Sequence, residues 1–152
     1  MVTDPQALAA RLADAAGLIK VHGHYVDHDF WPDAHEQDWT PGLPLDITAA
    51  VYVAQGVTSY RAVVAAMSRA VDPAIAALAW HLGFRSPGDA ALAGLWEWED
   101  RTPGVFVASA LQRCAADLRA VVTCLSCGAE WPNHYAHCEF VRSVRDELAV
   151  AA

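Results

Sequence analysis

At Asp4-Pro5, Asp72-Pro73, Ser86-Pro87 and Thr102-Pro103 this chain sets a proline directly behind a small polar residue, each time ahead of an apolar stretch. An Asp, Ser or Thr side chain accepts a hydrogen bond from an unpaired amide of a helix's first turn, and proline at the next position lacks an N–H that would go unpaired anyway. Each pair therefore predicts a helix start. The residues that follow keep a helical period. Leu8, Leu12, Ala15 and Ile19 form one stripe ending before Gly23, and Ile75, Leu78 and Leu82 form another ending at Gly83. Ser86 with Asp89 resembles a capping box, and Leu92, Leu95 and Trp96 follow as a short stripe. After Thr102, Val105, Ala108, Leu111, Ala115, Leu118 and Val122 trace one face of the longest helix, the predicted axis of the core.

Between Asp46 and Ala70 the β-branched residues would also suit strands, but Thr58 and Ser59 behind Gly56 predict two short helices. No segment alternates with period two between hairpin turns. The expected fold class is all-α, a bundle of about six to seven helices. It would span residues 1–122, with a metal knuckle and last helix packed on it over 123–152.

A chain of 152 residues that is 55% apolar fills one globular core. No apolar run reaches the ~18–20 residues a membrane helix needs, and the N-terminus is charged and amphipathic rather than a signal sequence. A soluble, cytoplasmic protein without membrane contact is expected. The net charge of −8 disfavours nucleic acid, which calls for clustered cations. The negative charge is also localised. Asp27, Asp29, Asp33, Glu36 and Asp38 fall in a stretch, 21–44, that contains no Lys or Arg, and Glu97, Glu99 and Asp100 form a second patch. Both read as solvated surface, or as faces for a basic partner. Segment 21–44 keeps neither period and exceeds the ~12–15 residues usual for a structureless connection, which makes it a functional loop or a mobile one.

Four cysteines occur without a secretory signal, so a disulfide framework is not expected. Cys114 falls inside the long helix as a packed thiol. Cys124, Cys127 and the glycine at 128 have the form of a zinc knuckle: two thiolates aim at one ion and glycine lets the backbone turn beneath them. Pro132 then opens a helix on which His134 and Cys138 share a face and complete a tetrahedron. The predicted ligands of a structural zinc are Cys124, Cys127, His134 and Cys138, with His137 the alternative to Cys138 or His134. A redox pair would need a thioredoxin-like βαβ setting, which this pattern lacks.

His22, His24, His28 and His35 with Asp27, Asp29 and Asp33 raise a second possibility, a catalytic metal site in which His24 and His28 are the candidate ligands. A polar loop with scattered histidines is the plainer reading. Trp96-Glu97-Trp98-Glu99-Asp100 sets tryptophans between acids, an arrangement that divides rings between core and interface. No Gly-rich phosphate loop, nucleophile elbow or helical zinc-protease motif is present.

Residues 1–122 resemble an uncharacterised family of small helical actinobacterial and phage proteins. The likeness rests on the helix and Gly-aromatic turn from Leu12 to Tyr25, the Ala-rich stretch Ile47 to Gly56, and Trp98-Glu99-Asp100-Arg101-Thr102, where the family has W-N-D then R-T and Glu99 replaces asparagine. The tail is similar to a C-x-x-C-G-x-x-W-P-C ending, with Asn133 in place of the last cysteine. Neither resemblance implies a reaction.

Together these features describe a non-enzymatic, zinc-stabilised helical protein acting through protein–protein contacts, with Trp31, Trp39, Trp96 and Trp98 as the partner-binding side chains. The competing readings are a small metal-dependent enzyme using loop 21–44, and a nucleic-acid-binding zinc module drawing on Arg142 and Arg145.

Overall fold

Asp4, Asp46, Ser59 and Asp72 each turn a side-chain oxygen onto an amide of the following turn, and a helix begins behind each. The computed structural model describes residues 4–27, 29–85 and 89–120. They form six helices: α1 (Pro5–His22), α2 (Ile47–Val53), α3 (Tyr60–Arg69), α4 (Pro73–His81), α5 (Asp89–Arg101) and α6 (Gly104–Ala120). Among the described residues the extended structure is limited to one isolated bridge, His24 to Leu45. The all-α class follows, and the 46–70 region is two short helices as its glycine and serine predict. The predicted knuckle and last helix lie outside the described residues, as does the Ser86-Pro87 pair.

Antiparallel packing of α1 and α6 is the axis of the bundle. The Gln6 side chain reaches the Arg119 carbonyl at one end, and the Gly104 backbone rests on His24 at the other. Leu8, Leu12, Ala15 and Ile19 are all buried, and they meet a face of α6 built from Val107, Ala108, Leu111, Cys114, Ala115 and Leu118. Alanine and other small side chains dominate this seam, so the two backbones approach closely. The predicted α6 stripe is displaced at its start: Val105 is 69% exposed, and the apolar face begins at Val107. Thr102 also departs from its expected role. Its hydroxyl donates to the Trp98 carbonyl at 2.5 Å, so it closes the end of α5 rather than opening α6.

Glycines at 56 and 83 take positive φ, 83° and 92°, at the ends of α2 and α4. In each case two amides fold back on the last turn, Gly56 and Val57 onto Val53 and Tyr52, Gly83 and Phe84 onto Trp80 and Ala79. Asp72 does more than cap α4. One oxygen accepts from Ala74 N at 2.8 Å, while the other holds the Arg11 guanidinium of α1 and lies 3.5 Å from Gln55 Nε2 of the α2 end. That carboxylate fastens three elements together.

Cys114 is the packed thiol anticipated, and burial first, then the charge of Asp117, pushes it up to about 12. The unfolded thiol ionises near 9.0 and the folded one only near 12, so this group's contribution to stability is intact below pH 9 and is lost as pH rises toward 12. Alkylation at pH 8 followed by peptide mapping is expected to leave Cys114 unmodified until denaturant is added.

Among the described residues no single helix is long and apolar enough to cross a membrane. The pair α3 and α4 would reach that length together but meets at 72°.

Candidate functional site

The segment between α1 and α2 carries the polar and aromatic residues that set this chain apart, and it is fastened at many points. Gly23 ends α1 with φ 97°, and its carbonyl accepts from Leu45 N at 3.1 Å while Tyr25 N donates to the Leu45 carbonyl at 3.0 Å. The two ends of the loop are thus clipped side by side. Within it, Phe30 adopts φ 68°, costly for a residue with a Cβ. Asp46 holds it there from both sides. Its carboxylate accepts from Phe30 N at 3.1 Å and its own amide donates to the Phe30 carbonyl at 2.9 Å. The other oxygen of Asp46 accepts from Ala49 N at 2.7 Å and caps α2.

Aromatic residues finish the fastening. Trp31 is 0% exposed and its indole N–H donates to the Gln37 carbonyl at 3.0 Å. Trp39 donates to the Leu43 carbonyl at 2.9 Å, and its ring meets the His22 ring edge-on at 5.3 Å. His22 Nδ1 in turn accepts from Gly42 N. The described part of the loop is not structureless: Phe30, Trp31, Ala34 and Leu45 join the buried core of the bundle.

Beneath the loop lies a buried carboxylate. Glu99 is 1% exposed, and its Oε1 accepts from Ile47 N at 2.7 Å and pairs with His24 Nε2 at 2.9 Å. A carboxyl group here needs both donors, because burial without them would cost several kcal/mol. The first turn of α2 supplies one, and its unpaired amides favour negative charge at that position. Glu99 was expected on a solvated acidic patch, so this is a correction. The signal was present. Glu99 stands four residues beyond Leu95 and eight beyond Ala91, on the buried stripe of α5.

Gly104 completes the enclosure, since a Cβ there would come within 2.7 Å of the His24 Cβ. Gly104→Ala is accordingly expected to destabilise the fold by about 1–3 kcal/mol, read from the urea midpoint.

The outer face of the loop is different. Asp27, Asp29, Asp33, Glu36 and Asp38 are all exposed. Partial burial, then the charges of Asp27, Asp29 and Asp33, raise the Tyr25 hydroxyl above the ordinary phenol value, so three of these carboxylates act on one group. Asp33 itself has φ 55°. His35 lies 3.3 Å from Asp29, and its ring meets that of Tyr60 at 4.1 Å, tilted by 45°. Glu36, Asp38, Tyr60 and Arg61 border an open depression of about 380 Å³.

The residues singled out from sequence divide as follows. Trp31, expected to meet a partner, is core with no exposed surface. Trp39, Trp96 and Trp98 are half-buried, Trp39 and Trp98 against the main core and Trp96 beside a crevice of about 40 Å³ near Tyr52. His24 is spent on Glu99, while His28 lies outside the described residues, as do Cys124, Cys127, His134, His137 and Cys138. Among the described residues no three His, Cys, Asp or Glu side chains converge as a metal-binding group. Asp46, which no motif flagged, proves central. A polar residue just ahead of the apolar run from Ile47 was its available sign. No family model, curated protein or solved structure matches the chain.

Proposed function

We propose that this protein is a non-enzymatic interaction domain whose acidic loop, residues 24–40, receives a basic segment of a protein partner. The observation that carries this reading is that loop's division of labour. Its inward residues, Phe30, Trp31 and Ala34, are buried, while Asp27, Asp29, Asp33, Glu36 and Asp38 face solvent. A surface held in one shape before binding loses less freedom on association, and a run of like charges steers an oppositely charged partner. The depression bordered by Glu36, Asp38, Tyr60 and Arg61 offers the two carboxylates of its rim to an arginine or lysine side chain of the partner.

A structural zinc on Cys124, Cys127, His134 and Cys138, with His137 as alternative, belongs to the same proposal, as does kinship with the small helical family that residues 1–122 resemble. Three thiolates and an imidazole make a closed tetrahedron that stabilises the tail and leaves no position for substrate. Zinc assayed in protein purified without added metal is expected at about one equivalent per chain; a value near zero removes the clamp.

The partner reading is tested by affinity capture from the native host with the wild-type chain and with Glu36→Lys/Asp38→Lys. Both positions are exposed, so the doubly substituted chain is expected to fold. A protein retained by the first, lost with the second and released by salt is the expected result. Identical recovery on both chains overturns it.

A further inference from the structure

Between α4 and α6 lies a cavity of about 300 Å³, at the lower end of the range of small-molecule sites. Ala77 and Cys114 contribute only a methyl group and a thiol to its lining, which is why room remains between the helices. Ala77, Cys114 and Leu118 are buried and Trp80 is half-buried, so the part of the lining deepest in the fold is apolar.

The rim carries both signs of charge. The Arg85 guanidinium lies 4.3 Å over the Trp80 ring. The contact positions the cation, and the N–H fork of a guanidinium matches a planar carboxylate. Asp117 stands on the same rim, and one of its oxygens pairs with His81 Nδ1 at 2.9 Å. A carboxylate only accepts, so the imidazole donates through that nitrogen. The Asp117 side chain is 63% exposed, which leaves its other oxygen open to a cation.

These charges narrow the choice of ligand. A phosphate or a simple carboxylate is drawn to Arg85 and repelled by Asp117, and for an amine the signs reverse. A neutral molecule with one charge of each sign suits both groups, and an aromatic body suits the apolar lining. We infer that the cavity between α4 and α6 is a binding site for a small aromatic zwitterion, in its simplest form an aromatic amino acid, with its carboxylate at Arg85, its ammonium at Asp117 and its ring over Cys114 and Leu118 beside Trp80. His81 positions Asp117 by holding its first oxygen. The site stands apart from the acidic loop, none of whose residues borders it.

NMR titration of the full-length chain with L-phenylalanine tests the inference, read on the Trp80 indole N–H signal, which its loss in Trp80→Phe assigns. Saturable shifts are expected with a Kd of a few millimolar or tighter, the affinity that a ligand of roughly twelve non-hydrogen atoms reaches at ordinary ligand efficiency. Phenethylamine, which lacks the carboxylate, and 3-phenylpropionate, which lacks the ammonium, are each expected to bind about fivefold more weakly. Arg85→Gln and Asp117→Asn, both at exposed positions where substitution spares the fold, are each expected to weaken L-phenylalanine by a similar factor. The Glu36→Lys/Asp38→Lys chain, altered only in the acidic loop, is expected to bind it as the wild type does, so this inference and the partner reading fail separately. Shifts that stay linear to about 20 mM, either truncated compound binding as tightly as L-phenylalanine, or an affinity unchanged by either rim substitution overturns the inference. Shifts of the same signal with protein concentration alone would make the cavity a contact between copies of the chain, and overturn it too.

Discussion

Replacing Glu99 with alanine is expected to cost this fold roughly 3–5 kcal/mol, the largest single effect at any polar position described. Three losses combine. Ile47 N, at the mouth of α2, loses its acceptor; the His24 ring loses its partner while 6% exposed; and a cavity opens where the side chain was. Glu99→Gln separates these contributions, because its carbonyl oxygen still accepts both hydrogen bonds and the shape is preserved. Only the charge goes, and about 1–2 kcal/mol is expected. Urea unfolding followed by tryptophan fluorescence measures both. A double-mutant cycle with His24→Ala then isolates the pair itself. If Glu99→Ala lowered stability by less than about 1 kcal/mol, a figure typical of solvated positions, the buried carboxylate would not be the link between α2, α5 and the loop.

Trp31→Ala is expected to be of similar size, roughly 3–5 kcal/mol, because the ring has no exposed surface and its removal opens a cavity in the core. Its consequence is also local. The ring and its bond to the Gln37 carbonyl set the inner wall of the acidic loop, with Phe30 leaning on both Trp31 and Tyr60. Amide exchange across residues 29–38 is expected to accelerate more than exchange in α1 or α6. Partner affinity should fall with it, through loss of the preformed surface rather than loss of a contact. Undiminished stability together with abolished binding would instead return Trp31 to the surface role its composition first suggests.

Much of this architecture could be read directly from local pattern. Asp4-Pro5 and Asp72-Pro73 specify helix starts through a side chain two residues from its amide partner, an interaction that needs no knowledge of the rest of the chain. The stripes of α1 and α4 repeat at the helical period and are buried as that period requires. The candidate site was less legible. Asp46 and Glu99 look like other acids in an acidic protein, and their roles depend on partners 16 and 52 positions away, Phe30 and Ile47. Trp31 and Trp39 are alike by composition, yet one is sealed in and the other half-buried.

The sequence by itself determined the starts of α1 and α4 and their ends at Gly23 and Gly83, because caps, prolines and apolar spacing act over a few residues. It also determined that negative charge concentrates between positions 21 and 44. Only tertiary structure decided which carboxylates face water and which hold the backbone together. That choice depends on desolvation and on amides delivered by distant helix ends, quantities set by packing and invisible in any local run of residues.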